Sequence, residues 1–411
     1  MGIGTSQSLE HSAFDRGLIR RILHLAGDPR ISVRLWNGHE FQITDERPVA
    51  CMEIRERRVI FDLLRSPSVG FGECYSKGQI EIHGDFLAFI TEVTAAITRK
   101  HAERYAGPRL RSVLHALRRN TLSRSRHNVH HHYDLGNDFY KLWLDERLVY
   151  TCAYFDHPGA TLAEAQLAKL DHVSRKLRLA PGQKVVEAGC GWGALAMHMA
   201  EHYGVEVLAY NNSTEQVAYA RERAAERGIS DKVTFVLDDY RTIDGCFDRF
   251  VSIGMLEHVG RANYGALGEL IRRCLKPDGF GLVHSIGRSH PQPSDAWILK
   301  RIFPGGHIPS LAEMMHVFEP QKFSVLDVEN LRPHYARTCA MWLQNFEAVA
   351  DEVASMYSEE FVRMWRLYLA GSSAGFSTGT LQLFQILFAP YGNGDVPWTR
   401  EYQYPGETGT H

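Results

Sequence analysis

The 411-residue chain has almost no surplus charge: 46 Lys and Arg stand against 48 Asp and Glu, a net of -2. That balance argues against a dedicated nucleic-acid binder and leaves room only for a local basic patch. Cysteine is sparse and unpaired in pattern. The seven residues (51, 74, 152, 190, 246, 274 and 339) are spread singly with no CxxC, which speaks against a disulfide framework or a zinc cage and for reduced thiols in a cytoplasmic setting. Long apolar runs are missing. The stretch from Phe86 to Ile97 is interrupted by Glu92 and falls short of the roughly 20 residues a membrane span needs. The N-terminus lacks a positive start followed by an apolar core, so no signal peptide is expected. No internal repeat is visible. What remains is 44% hydrophobic and 23% charged, the profile of an ordinary globular protein of two or three domains.

Three regions differ in composition. Residues 1–98 read as a small α/β unit. It has an apolar helix over Ala13–Ala26 and strands at Ile31–Leu35, Val59–Phe61 and Gln79–His83. A second helix, over Phe86–Ile97, is opened by a Gly84-Asp85 turn and cap. Residues 99–127 carry nine Arg and Lys against the single acid Glu103, with Leu110, Val113, Leu114 and Leu117 on one helical face. Such a basic amphipathic linker suits either an anionic lipid surface or docking on the next domain.

From residue 128 to about 390 strands and helices alternate, the mark of a parallel sheet covered by helices. Strands are expected at Gln183–Ala188, Val205–Tyr210, Lys232–Leu237, Asp248–Ile253 and Phe280–Ile286, and helices at Thr214–Arg227 and Tyr264–Cys274. An aromatic-rich helical segment is expected over 340–388 and a flexible tail over 391–411.

The most informative stretch is Val185-Val-Glu-Ala-Gly-Cys-Gly-Trp-Gly193, a strand running into an acid and then into glycines that open a helix. Glycines there let backbone approach a ligand at the edge where open α/β sheets bind theirs. No Gly-Lys-Ser/Thr follows, against a phosphate loop. The second strand ends in Asn211-Asn212 where a dinucleotide site wants an acid. Glu187 is placed to meet an ammonium group, and Asp238-Asp239 ends the third strand where an adenine amine is commonly read. Together these favour S-adenosylmethionine over a nucleotide. His130-His131-His132 does not make a metal site, because adjacent histidines do not easily face one ion and no Cys or acid pattern accompanies them. No metal is expected.

Six ordered motifs carry a resemblance. They are His132-Tyr-Asp-Leu-Gly-Asn137, Tyr150-Thr-Cys-Ala-Tyr-Phe155, Gly189-Cys-Gly-Trp-Gly193, Gly254-Met-Leu-Glu-His-Val-Gly260, Leu282-Val-His-Ser-Ile-Gly287 and Phe303-Pro-Gly-Gly. Tyr335 follows, ahead of Ala340-Met-Trp342. The chain resembles the cyclopropane-fatty-acyl-phospholipid synthase family, closely over 128–390 and more loosely over the first hundred residues. The resemblance implies a Rossmann-like class I methyltransferase domain, with a mostly parallel seven-stranded sheet and helices on both faces, beside a small N-terminal α/β domain for lipid access or dimerisation.

It further implies a bicarbonate ion as general base, held by Cys152, Glu257, His284, the Ile286 backbone N–H and Tyr335. For S-adenosylmethionine it implicates Tyr150, Thr151, Gly189, Gly191, Gln216, Asp239 and Tyr240, with Glu187 standing where the family usually has Asp. The expected reaction transfers a methylene to the cis double bond of an unsaturated phospholipid acyl chain through a carbocation. The expected partners are those acyl chains and an anionic membrane surface on the cytoplasmic face, with no nucleic acid and with a homodimer left open. A methyl-branching fatty-acyl C-methyltransferase and a small-amine N-methyltransferase are the alternatives.

Overall fold

In the computed structural model, residues 4–103 and 135–404 are described. They form two compact units. The first takes in residues 1–108 together with 295–302 and 342–380, and the second takes in 109–294, 303–341 and 381–411. The first unit therefore runs past the boundary drawn at residue 98 by including two later segments. Most of the basic linker, 104–127, and the histidine run lie outside the described residues.

The first unit holds a four-stranded sheet in the order β2-β1-β3-β4, formed by β1 (Ser32–Leu35), β2 (Glu40–Gln42), β3 (Ala50–Ile54) and β4 (Ile80–Gly84). The helix Phe86–Glu103 follows as expected, and Asp85 caps it by accepting from the Ala88 N–H. The strand expected over Val59–Phe61 is instead part of the helix Arg58–Arg65. A three-residue apolar run fits either element. Here Val59, Ile60 and Leu63 are buried while Phe61 is half exposed, which is a helical face and not an alternating one. Trp297 belongs to this unit's core: a Cβ on Gly72 would come within 2.3 Å of its indole.

The second unit is built on a seven-stranded sheet, ordered β10-β11-β9-β8-β5-β6-β7. Its strands are β5 (Lys184–Ala188), β6 (Glu206–Asn211), β7 (Val233–Leu237), β8 (Phe247–Ile253), β9 (Leu275–Gly287), β10 (Phe323–Asn330) and β11 (Gln382–Pro390). Only β11 runs against the rest, pairing antiparallel with both β9 and β10. Both faces are covered. Val185, Val207 and Val251 enter one core cluster and Val186, Tyr210 and Phe250 the other, as period-two strands require in a sheet buried on both sides.

The helical reading of 340–388 fails at its end. Helices Arg332–Ala348, Ala350–Met356 and Glu359–Thr378 stop at Gly379 (φ +84°), and 382–390 is the reversed strand β11. Leu383-Phe-Gln-Ile-Leu-Phe388 is apolar almost throughout because it is buried on both faces, and such a run reads alike as helix or strand. The tail also packs in part. Gln403 is buried, and its carbonyl oxygen accepts from His172 Nδ1 and Arg175 Nε, each at 3.1 Å.

The strand order reverses direction between β5 and β8. The crevice at the carboxyl ends of these two strands is where open α/β sheets hold ligands. The loops meet there: a Cβ on Gly189, just past β5, would lie 3.2 Å from the Cβ of Met255, just past β8.

Candidate active site

The glycine loop after β5 is built from left-handed backbone. Gly189, Gly191 and Gly193 have φ of +85°, +53° and +82°, which L side chains rarely adopt. Their surroundings differ. A Cβ on Gly193 would strike the Phe235 ring at 2.6 Å, so this glycine serves packing, whereas Gly191 faces open space with nothing within 4 Å. Glu187 is buried at the end of β5. Its Oε2 has no partner among the described residues, and burial pushes its carboxyl up to about 7 against the pull of the Lys169 ammonium.

Asn211, ending β6, ties the loop to the next helix. Its Nδ2 donates to the Gly191 carbonyl at 3.0 Å and to Gln216 Oε1 at 2.8 Å, leaving Gln216 Nε2 buried and unpartnered. Asn211 Oδ1 accepts from the Ser213 N–H, so this asparagine's donor and acceptor are both engaged inside the protein. At the end of β7, Asp239 is buried and held on both oxygens by Arg241, at 2.8 and 3.1 Å. The adjacent Tyr240 phenol is pushed up to about 12 by burial.

A second group of residues gathers around β9. Glu257 follows β8 in the short helix Leu256–Val259, and its Oε1 accepts the Ile286 N–H at 2.6 Å. Its Oε2 is buried without a partner, and burial pushes this carboxyl to about 7 as well. The Ile286 amide, expected to face a bound anion, is thus engaged with Glu257. His284 lies two residues earlier. Burial drives it down to about 3, so the ring is neutral at physiological pH. Gln385 Nε2, opposite on β11, lies 3.2 Å from His284 Nδ1. With Gln385 as donor, Nδ1 accepts and the ring proton sits on Nε2.

Cys152 is fully buried with its thiol pushed well upward by burial, hence protonated. Its Sγ donates to the Ala153 carbonyl at 3.1 Å and lies 4.0 Å from the Leu331 carbonyl, next to the helix that carries Tyr335 in its first turn. Two bonds fasten this stretch to that helix: the Ala153 N–H donates to Thr338 Oγ1 and the Phe155 N–H to His334 Nδ1. Tyr154 is stacked between the rings of His172 and His334. Tyr150 packs at 5.4 Å from both Tyr140 and Trp143.

Sequence reasoning missed Lys169. It is buried in the helix Leu162–Lys176, and its Nζ donates to Thr151 Oγ1 at 3.2 Å. Its charge acts on Cys152, Glu187 and His284. The sequence offered no clear signal for it, because the helical face it shares also carries Gln166, His172 and Lys176.

The arrangement fits S-adenosylmethionine. Two orphaned polar groups, a carboxyl oxygen and an amide, flank a glycine that leaves open space, at the switch point of the sheet. Around β9 the protein also holds a neutral imidazole, His284, and a raised carboxyl, Glu257, both buried.

Comparisons with known proteins agree. Residues 120–386 match the family model of mycolic acid cyclopropane synthetase, and residues 18–102 match a domain family of unknown function. The chain is 35% identical to a probable fatty acid methyltransferase of Pseudomonas putida, over 91% of this chain and 96% of that one. It is 37% identical to the cyclopropane-fatty-acyl-phospholipid synthase of Escherichia coli, over 80% and 84%. A mycolic acid cyclopropane synthase solved with SAH and CTAB superposes with a TM-score of 0.62 at 34% identity, covering 64% of this chain and 98% of that one.

Proposed function

The chain belongs to the mycolic acid cyclopropane synthetase family, as an S-adenosylmethionine-dependent methyltransferase of the cyclopropane synthase type, and on that premise we propose that it adds a methylene to the cis double bond of unsaturated phospholipid acyl chains with bicarbonate as general base. The observation that carries the reading is the buried Glu257 carboxyl, anchored through Oε1 to the Ile286 amide, two residues along β9 from neutral His284, and open at Oε2.

S-adenosylmethionine supplies a methyl group on an electron-poor sulfur. Glu187, Gln216 and the backbone at Gly191 would hold it, with Tyr150 and Thr151. An alkene is a weak nucleophile, so the protein's part is to orient it and to exclude water. The buried setting of Cys152, Glu257 and His284 meets the second need. Addition of a methyl leaves a cation on the acyl chain, and ring closure needs a base beside the new methyl. Bicarbonate would supply that base. Glu257 Oε2, His284 Nε2–H, Cys152 and Tyr335 would hold it, and a carboxyl pushed to about 7 is half protonated near neutrality, so it need not repel an anion. A thiol in place of a thiolate at Cys152 serves the same end.

The basic segment 99–127, mostly outside the described residues, would hold the enzyme on anionic headgroups, and the N-terminal unit would assist lipid access. Among the described residues no helix is long and apolar enough to cross a membrane. A second reading is favoured by the Pseudomonas putida relative, named a probable fatty acid methyltransferase: loss of a different proton would leave a methyl branch. Mass analysis of lipids from cells expressing the protein tests the proposal. Monounsaturated chains that gain one CH2 and show cyclopropane protons far upfield by NMR support it, the same mass gain without ring protons favours the second reading, and an unchanged lipid profile overturns it.

A further inference from the structure

One short segment, Tyr150–Cys152, carries both cofactor candidates and an anion candidate, and its placement is imposed from outside. The chain enters it through a strained turn. Leu148 has φ +54°, a conformation a leucine keeps only where its surroundings over-determine it. Buried Asp145 fixes that turn by accepting the Arg147 N–H at 3.2 Å and the Val149 N–H at 2.9 Å.

Two side chains one turn apart on the helix Leu162–Lys176 then grip the segment. The fully buried Gln166 amide spans two carbonyls through Nε2, Val149 at 3.3 Å and Thr151 at 2.9 Å. Lys169 Nζ reaches Thr151 Oγ1. The same helix takes the next residues in hand, since the Tyr154 N–H donates to the Ala165 carbonyl at 2.9 Å.

A buried ammonium bonded to one neutral hydroxyl is costly, and the opposite charge of nearby acids is what offsets that cost. Burial lowers Lys169 to about 8, against the opposing pull of Asp145, Cys152 and Glu187. Lys169 thus supplies the positive charge of a buried cluster that includes the carboxyls of Asp145 and Glu187.

We propose that Gln166 and Lys169 are positioning residues for S-adenosylmethionine: Gln166 fixes the backbone of Val149–Thr151, and the Lys169 ammonium orients the Thr151 hydroxyl while balancing the charge of Glu187. This rests on the cofactor half of the proposed function and is independent of the acyl substrate.

The test is calorimetric titration with S-adenosylhomocysteine of the full chain and of Lys169→Met and Gln166→Leu, at a temperature where circular dichroism shows them folded. No lipid is needed, so an error about the acyl acceptor leaves the outcome unaffected. The dissociation constant is expected to rise about tenfold or more in each variant, with one site per chain retained. A merely structural role gives a different pattern, in which part of the protein unfolds, sites are lost and the affinity of the rest is unchanged. That pattern, or an unchanged constant with all sites present, overturns the assignment. If Lys169→Met yields no folded protein, Gln166→Leu, which leaves the ammonium in place, decides by the same criteria.

Discussion

Glu257 gives Oε1 to the Ile286 amide at 2.6 Å and keeps Oε2 buried with no protein partner among the described residues. One half of the carboxyl is structural and the other half is open to chemistry. Substituting Gln keeps an oxygen for the Ile286 amide and removes the titratable group. Glu257→Gln is therefore expected to fold and to lose turnover by about 10²–10⁴-fold, measured at saturating cofactor.

The same substitution changes the pH dependence of stability. Glu257 moves from an ordinary 4.5 to about 7 through burial, so between these values the folded protein keeps a proton that the unfolded chain has lost. Stability falls as pH rises through that window. The Gln variant is spared this loss. Relative to the parent it should gain on the order of 1–3 kcal/mol between pH 5 and pH 8 in denaturant titrations. Glu187, also near 7, leaves a residual decline in both proteins.

Gly191 and Gly193 should separate binding from packing. At Gly193 an added Cβ meets the Phe235 ring at 2.6 Å in a left-handed backbone, so Gly193→Ala should cost about 2–4 kcal/mol of stability. Gly191→Ala meets no protein atom within 4 Å and should cost only about 1–2 kcal/mol. Its main effect is expected as a fall of tenfold or more in S-adenosylhomocysteine affinity, read by calorimetry.

Glu329 on β10 accepts from His172 Nε2 at 2.7 Å and from Lys176 Nζ at 2.5 Å, and Lys176 is fully buried. Burial pushes the Glu329 carboxyl up, but His172 and Lys176 outweigh it and draw the group down to about 2. Its stabilising contribution is present above about 4.5 and is lost as pH falls toward 2. Glu329→Gln strands the Lys176 charge and should cost about 3–5 kcal/mol near neutrality, with a smaller difference from the parent below pH 3, both read from chemical unfolding.

Much of this was legible in sequence where local pattern and local structure coincide. The glycine loop, the strands from Gln183 to Ile253 and the helix over Thr214–Arg227 follow from periodicity and turn chemistry, and each appears within a residue or two of its expected bounds. Val59–Phe61 and Gln382–Pro390 were illegible because short or doubly buried apolar runs carry no period. The site residues were readable as types, but their partners were not. Asp239 is matched by Arg241 and the Ile286 amide by Glu257, pairings that depend on backbone path. Lys169 escaped notice because a single lysine on a helix is ordinarily solvated, and only the tertiary fold buries it.

Membrane attachment through the basic segment predicts a salt effect. Binding to vesicles rich in anionic lipid should weaken several-fold as ionic strength rises to about 0.5 M, where charges are screened within a few ångströms. Sedimentation of protein with vesicles measures this, and salt-independent binding would contradict the electrostatic anchor.

The central claim is ring closure on an acyl double bond. Its most direct test supplies purified protein with monounsaturated phospholipid vesicles and S-adenosylmethionine carrying a ¹³C-labelled methyl, followed by NMR of the extracted lipid. The account predicts the label in a ring CH2 whose protons lie far upfield. Label in a methyl branch, or no transfer to lipid despite ample donor, would contradict it.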